Sequence, residues 1–228
     1  MPEPFKVEVA PAQIVTAVEY PGATPNRAGV TLILGHGAGA SQTSGFVVSF
    51  ATALAGRGID VVTFNFLYTQ HGRRIPDPNS RLEACYRAVI ETVRSRITDR
   101  SGKLAIGGKS MGGRIASQIA ASGAGELAGL VFLGYPLHPP GRPERLRAAH
   151  LQEIKAPMLF VQGSRDAVGT PVELQPIIER LKPLADLYIV EGGDHSFKVL
   201  KSARVKQQDV YGTIQDRIEN WLRAIIAD

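Results

Sequence analysis

The chain has 228 residues, 44% hydrophobic and 21% charged, which suits one medium soluble domain and is enough to build a core without staples. Its formal net charge is +5, but the basic residues are scattered and not interleaved with aromatics, so they read as a solvated surface and exclude a nucleic-acid footprint. A single cysteine, Cys85, rules out an internal disulfide, and no apolar run approaches the roughly 18 residues of a membrane span.

The start of the chain, Met1–Val9, has no apolar leader, and a cytoplasmic protein is expected. Val7–Ala10 and Ile14–Tyr20 read as strands joined at Pro11, an antiparallel edge. Val30–Leu34 reads as a buried strand, Thr43–Arg57 as a helix ended by Gly58, and Ile59–Phe64 as the next strand. A loop from Asn65 to Asn79 carries Tyr68, His71, Arg73 and Arg74. Ser80–Ile97 is an amphipathic helix that holds Cys85, expected as a buried thiol. Lys103–Gly107 is a short buried strand and Gly113–Ala121 a helix. Leu127–Gly134 is a strand, followed by the Pro- and Arg-rich connection Leu137–Leu151. Pro157–Gln162 (strand), Val172–Leu181 (helix) and Ala185–Val190 (strand) follow. Lys201–Ile226 closes the chain mostly as a helix, with Trp221 packing on the sheet. Helices alternating with apolar, β-branched strands imply a mostly parallel sheet covered on both faces. Right-handed crossovers then gather the strand-to-helix loops at one end, where chemistry is expected.

Gly108-Lys109-Ser110-Met111-Gly112 lies between a strand and a helix. A Gly-x-Ser-x-Gly so placed is the nucleophile elbow of serine hydrolases. A phosphate-binding P-loop would need Gly at position 103, where this chain has Lys103. A serine hydroxyl needs a base, and the base needs an orienting group. His195 directly follows the strand Ala185–Val190, and Gly192 and Gly193 allow a sharp loop there. Asp166 follows the strand Pro157–Gln162 and is the expected carboxylate. Its rival Asp194 adjoins the base and is expected to serve its own loop, while Asp186 precedes a strand, at the wrong end of the sheet. The chain order Ser110, Asp166, His195 is the α/β-hydrolase order. His36-Gly37-Ala38-Gly39 follows the strand Val30–Leu34. It offers the N–H of Ala38, with Gly39 next, to join the N–H of Met111 as oxyanion donors; His36 is expected to brace this loop.

With His36–Gly39, Gly108–Gly113, Gly163–Asp166 and Gly193–His195, the chain resembles the small, lid-poor α/β-hydrolases related to dienelactone hydrolases, the KANL/TEX-type predicted hydrolases. The resemblance covers nearly the whole chain. It implies one α/β-hydrolase domain over residues 1–228, with a central sheet of about eight strands and a Ser-His-Asp triad. True dienelactone hydrolases use cysteine where this chain has Ser110.

The expected activity is hydrolysis of small esters through an acyl-enzyme, with no metal and no organic cofactor. A thioesterase or peptidase using the same residues stays open, as does a hydrolase-fold interaction protein. The Tyr135–Lys155 connection is too short for a cap domain, so the pocket should be open. Its expected walls are Phe66, Leu67, Tyr68, Tyr135, Pro136, Leu137 and His138; Arg73 and Arg74 are expected on a solvated loop, with contact to an acidic substrate as the alternative. A small-molecule ester is the expected partner, without nucleic acid or membrane, for a monomer or homodimer.

Overall fold

Two antiparallel strands open the chain, β1 (Glu3–Ala10) and β2 (Gln13–Tyr20), joined by the two-residue turn Pro11-Ala12. β1 begins four residues earlier than the apolar pattern suggested, because Glu3–Lys6 pair with Thr16–Glu19 across the hairpin. The computed structural model describes residues 1–97 and 102–227. The remaining strands are β3 (Val30–Gly35), β4 (Asp60–Phe64), β5 (Lys103–Lys109), β6 (Gly129–Leu133), β7 (Met158–Gly163) and β8 (Ala185–Val190). They form one eight-stranded sheet in the order β1-β2-β4-β3-β5-β6-β7-β8. Among the described residues, only the pairs β1–β2 and β2–β4 are antiparallel.

The helices are α1 (Gly45–Gly56), the single turn α2 (Leu67–Gln70), α3 (Asn79–Ile97), α4 (Met111–Ala121), α5 (Pro171–Leu181) and α6 (Gln207–Ala227). α5 starts at a capping box: the Thr170 hydroxyl accepts from the Glu173 N–H, the Glu173 carboxylate accepts from the Thr170 N–H, and Pro171 fills the first turn. Period-two alternation sends neighbouring strand residues to opposite faces. Leu32, Leu34, Val61, Ala105, Val131, Leu133, Leu159 and Val161 pack under α1 and α6. Ile33, Val62, Ile106, Leu130, Phe132, Met158 and Phe160 pack under α3, α4 and α5. Trp221 of α6 lies buried on the first face, and its Nε1–H donates to Asp186 at 3.0 Å.

Three local differences from the sequence reading have physical causes. β5 runs on through Gly107 and Gly108 to Lys109, because ladders with β3 and β6 on both sides override the low strand propensity of glycine. The Asn65–Asn79 loop contains α2, whose Leu67 and Tyr68 turn into the core. The final segment is split: a 3₁₀ turn (Lys201–Ala203) ends at Arg204 with φ +52°, and α6 starts only at Gln207. The connection from β6 to β7 holds one 3₁₀ turn, Ala149–Glu153, and no inserted cap domain. No helix among the described residues is long and apolar enough to cross a membrane. Cys85 is buried, and desolvation pushes its thiol up to about 12.

Candidate active site

The sheet positions Ser110 at the carboxyl end of its central strand β5. Its φ of +51° is unusual for a side-chain-bearing residue and marks local strain. The surroundings hold that conformation: the Ser110 N–H donates to Leu133 at 3.0 Å, and the Ser110 carbonyl accepts from Arg114 at 3.0 Å. A Cβ at Gly108 or Gly112 would run into the Gly35 carbonyl oxygen, so the turn closes only with glycine at both places. Beneath it, the buried Tyr86 hydroxyl lies 2.9 Å from the Ile33 carbonyl and 2.6 Å from the Gly107 carbonyl, and accepts from the Gly107 N–H at 3.1 Å. It ties β3 to β5 one strand residue below the elbow.

His195 and Asp166 come from loops after β8 and β7. The Ser110 Oγ lies 2.8 Å from His195 Nε2, and His195 Nδ1 lies 2.7 Å from Asp166 Oδ2. With a carboxylate on Nδ1, that nitrogen carries the proton and Nε2 is left to accept from the serine hydroxyl. Asp166 is fully buried; its Oδ1 accepts from the Val168 N–H at 3.0 Å and its Oδ2 also accepts from Gln162 Nε2 at 2.8 Å. The hydrogen bond to the imidazole is thus Asp166's. Asp194 Oδ1 accepts instead from the N–H groups of Ser196 (2.7 Å) and Lys198 (2.9 Å), closing the loop that carries His195.

Gln162 escaped the sequence reading. Its Oε1 accepts from the Tyr135 N–H at 2.8 Å, and its Nε2 lies within hydrogen-bond distance of Asp166, the Gly169 carbonyl and the Tyr135 carbonyl. It fastens the Asp166 loop to the end of β6. The one signal for it was a glutamine ending an otherwise apolar buried strand, where an unpartnered amide would be costly.

The His36–Gly39 loop lies against the elbow: a Cβ on Gly37 would sit 3.7 Å from the Ser110 Cβ. His36 is fully buried. Its Nδ1–H donates to the Gly37 carbonyl at 2.8 Å, Nε2 accepts from the Phe66 N–H at 3.3 Å, and its ring meets Phe66 and Tyr68 edge-on. Desolvation pushes its pKa down to about 4, against the opposing effect of the Gly37 bond, so it is a neutral brace. Ala38 and Gly39 are exposed beyond it, Gly39 with φ +71°. Met111 opens α4, so its N–H has no acceptor within the helix.

The expected pocket walls need correction. Phe66, Tyr68, Tyr135 and Leu137 are fully buried and His138 nearly so, hence they support the site from within the core and do not face solvent. Tyr135 stacks its edge on Phe132 and Phe160 and donates its hydroxyl to the Arg147 carbonyl at 2.8 Å. His138 is held by the Pro139 carbonyl and by Glu173. Arg73 is committed to Asp77 at 2.8 Å, which leaves Arg74 exposed as the available guanidinium of the two. The His195 side chain is 33% exposed, so the line of three residues opens to solvent. Among the described residues no three His, Cys, Asp or Glu side chains converge as a metal site would.

A family model described as "Alpha/beta hydrolase domain" matches residues 28–223. Among solved structures, the chain is similar to XC6422 from Xanthomonas campestris, described as an α/β serine hydrolase without a lid. The identity is 24%, the TM-score 0.73, and 96% of this chain and 94% of that one are covered. Est1E from Butyrivibrio proteoclasticus matches with TM-score 0.76 at 12% identity, covering 99% of each chain. A dienelactone hydrolase from Anabaena variabilis matches with TM-score 0.69 at 17% identity, covering 96% of each.

Proposed function

The chain belongs to the α/β-hydrolase domain family, and from that premise we propose that it is a serine hydrolase that cleaves small esters through an acyl-enzyme. The observation that carries this reading is the hydrogen-bonded line from Ser110 Oγ through His195 to Asp166, at 2.8 and 2.7 Å, mounted on a strained elbow. His195 Nε2 takes the proton from Ser110 as Oγ bonds to the ester carbonyl carbon. The N–H groups of Ala38 and Met111 receive the developing oxyanion. Asp166 stabilises the imidazolium and holds its orientation. The carbon–oxygen bond to the alcohol then breaks, and His195 gives its proton to that oxygen. Water adds to the acyl carbon with the same imidazole as base, and the Ser110–acyl bond breaks to release the acid.

The exposure of His195 and the short β6–β7 connection favour small, water-soluble esters over long lipids. The test is a panel of p-nitrophenyl esters from acetate to decanoate, with wild type beside Ser110→Ala. Short esters should turn over only with wild type. Equal rates for the two proteins, or fluorophosphonate labelling at a residue other than Ser110, refute the assignment.

A further inference from the structure

Lys109 is the last residue of β5 and directly precedes Ser110. Its Nζ is buried, lies 5.9 Å from the centre of the buried Phe197 ring, and has no hydrogen-bond partner among the described residues. The point where a Gly134 Cβ would stand is 3.0 Å from that Nζ and 3.3 Å from His195 Nδ1, so the ammonium and the imidazole flank a single glycine. Gly134 itself has φ +65°, and a side chain there would be wedged between the two. An unpartnered buried ammonium is expensive, and groups of this kind concentrate where their charge is used.

The groups around this ammonium come from several elements. The loop after β7 supplies Asp166, with Arg165 exposed and turned to the Gly192 carbonyl. The loop after β8 supplies Asp194 and His195, with Lys198 exposed. α6 supplies Tyr211, whose hydroxyl is held protonated by burial and by Asp194. His36, after β3, turns its ring to Phe66 and Tyr68. Two carboxylates, one hydrogen-bonded to the imidazole and one on its neighbouring residue, therefore act on this ammonium. Each favours the charged form of a neighbouring imidazole, whereas a base must be uncharged to take a proton from serine.

We propose that Lys109 is a positioning residue for His195, whose ammonium offsets the Asp166 and Asp194 carboxylates and keeps the imidazole uncharged and ready to accept the Ser110 proton. The functional meaning rests on the hydrolase reading; the electrostatic coupling does not. Burial brings the Lys109 pKa down to about 8, with Asp166 and Asp194 opposing the fall. The charge is therefore present at neutral pH and disappears as pH rises through about 8.

The experiment is a pH titration of the histidine ring signals by NMR in wild type and Lys109→Met, with the His195 signals assigned from His195→Gln. In the variant, the His195 ring should protonate at a pH higher by at least about half a unit. The wild-type ring signal should also show a second, smaller inflection near pH 8, where Lys109 titrates, and the variant should lack it. Coincident curves for the two proteins overturn the proposal. If Lys109→Met does not fold, the wild-type curve decides alone, since a ring signal without the second inflection means no coupling. None of these readouts needs turnover, so failure here is separable from failure of the ester panel. With p-nitrophenyl acetate, the acid limb of kcat/KM should move to higher pH in the variant, which a merely structural lysine would leave in place.

Discussion

Acidification should destabilise this fold through His36, and the amount can be worked from its environment. The ring is fully buried, donates to the Gly37 carbonyl, and accepts from the Phe66 N–H, so a proton on Nε2 both charges a desolvated group and breaks the second bond. The folded pKa is about 4 against an ordinary 6.5. Because the folded value is the lower one, the unfolded chain binds the proton more readily between them. Stability from the neutral ring is therefore complete above about pH 6.5 and is lost as pH falls toward about 4. A shift of this size corresponds to about 3 kcal/mol. The assay is urea denaturation of wild type and His36→Asn at about pH 7 and about pH 4.5. At neutral pH the variant should be less stable by about 1–3 kcal/mol, because the Phe66 N–H loses its acceptor. At the acid pH the gap should narrow or close, since only wild type has an imidazole to protonate. Parallel losses of stability in the two proteins would refute the reasoning.

Two further outcomes follow from the same contacts. Asp166→Asn should cost about a hundredfold or more in kcat, because the amide no longer fixes the proton on His195 Nδ1, whereas Asp194→Asn should stay within about tenfold, its amide oxygen still able to accept from Ser196 and Lys198; steady-state kinetics on p-nitrophenyl acetate decide, and the opposite ranking reverses the assignment of the acid. Tyr86→Phe leaves the Gly107 N–H without its phenol acceptor and removes the hydroxyl bridge between the Ile33 and Gly107 carbonyls, so thermal or chemical denaturation should show a loss of about 1–3 kcal/mol; an unchanged midpoint would mean that the hydroxyl carries no net stability.

Much of the architecture was legible because its signals are local. A short apolar run such as Val30–Leu34 is a strand since burial on both faces of a covered sheet leaves little room for polar residues. Ser110 stood out because a strand-to-helix turn this tight tolerates only glycine on either side, a constraint written into five adjacent residues. The pocket residues were misjudged for the converse reason. Loop positions suggest exposure, yet α2 folds Tyr68 inward, and the aromatic cluster of Phe132, Tyr135 and Phe160 draws Tyr135 into the core.

By itself, then, the amino-acid sequence determined the alternation of strands and helices, the elbow, and which loops carry a histidine and carboxylates beyond it. Only the tertiary structure decided that Asp166 and not Asp194 meets His195, that Gln162 holds that carboxylate in place, and that the Lys109 ammonium and the His195 imidazole flank Gly134. These are contacts between residues up to 85 positions apart in the chain, from loops on different strands. A hydrogen bond of 2.7 Å depends on how those loops are oriented once the sheet has formed, and no local pattern of residues encodes that orientation.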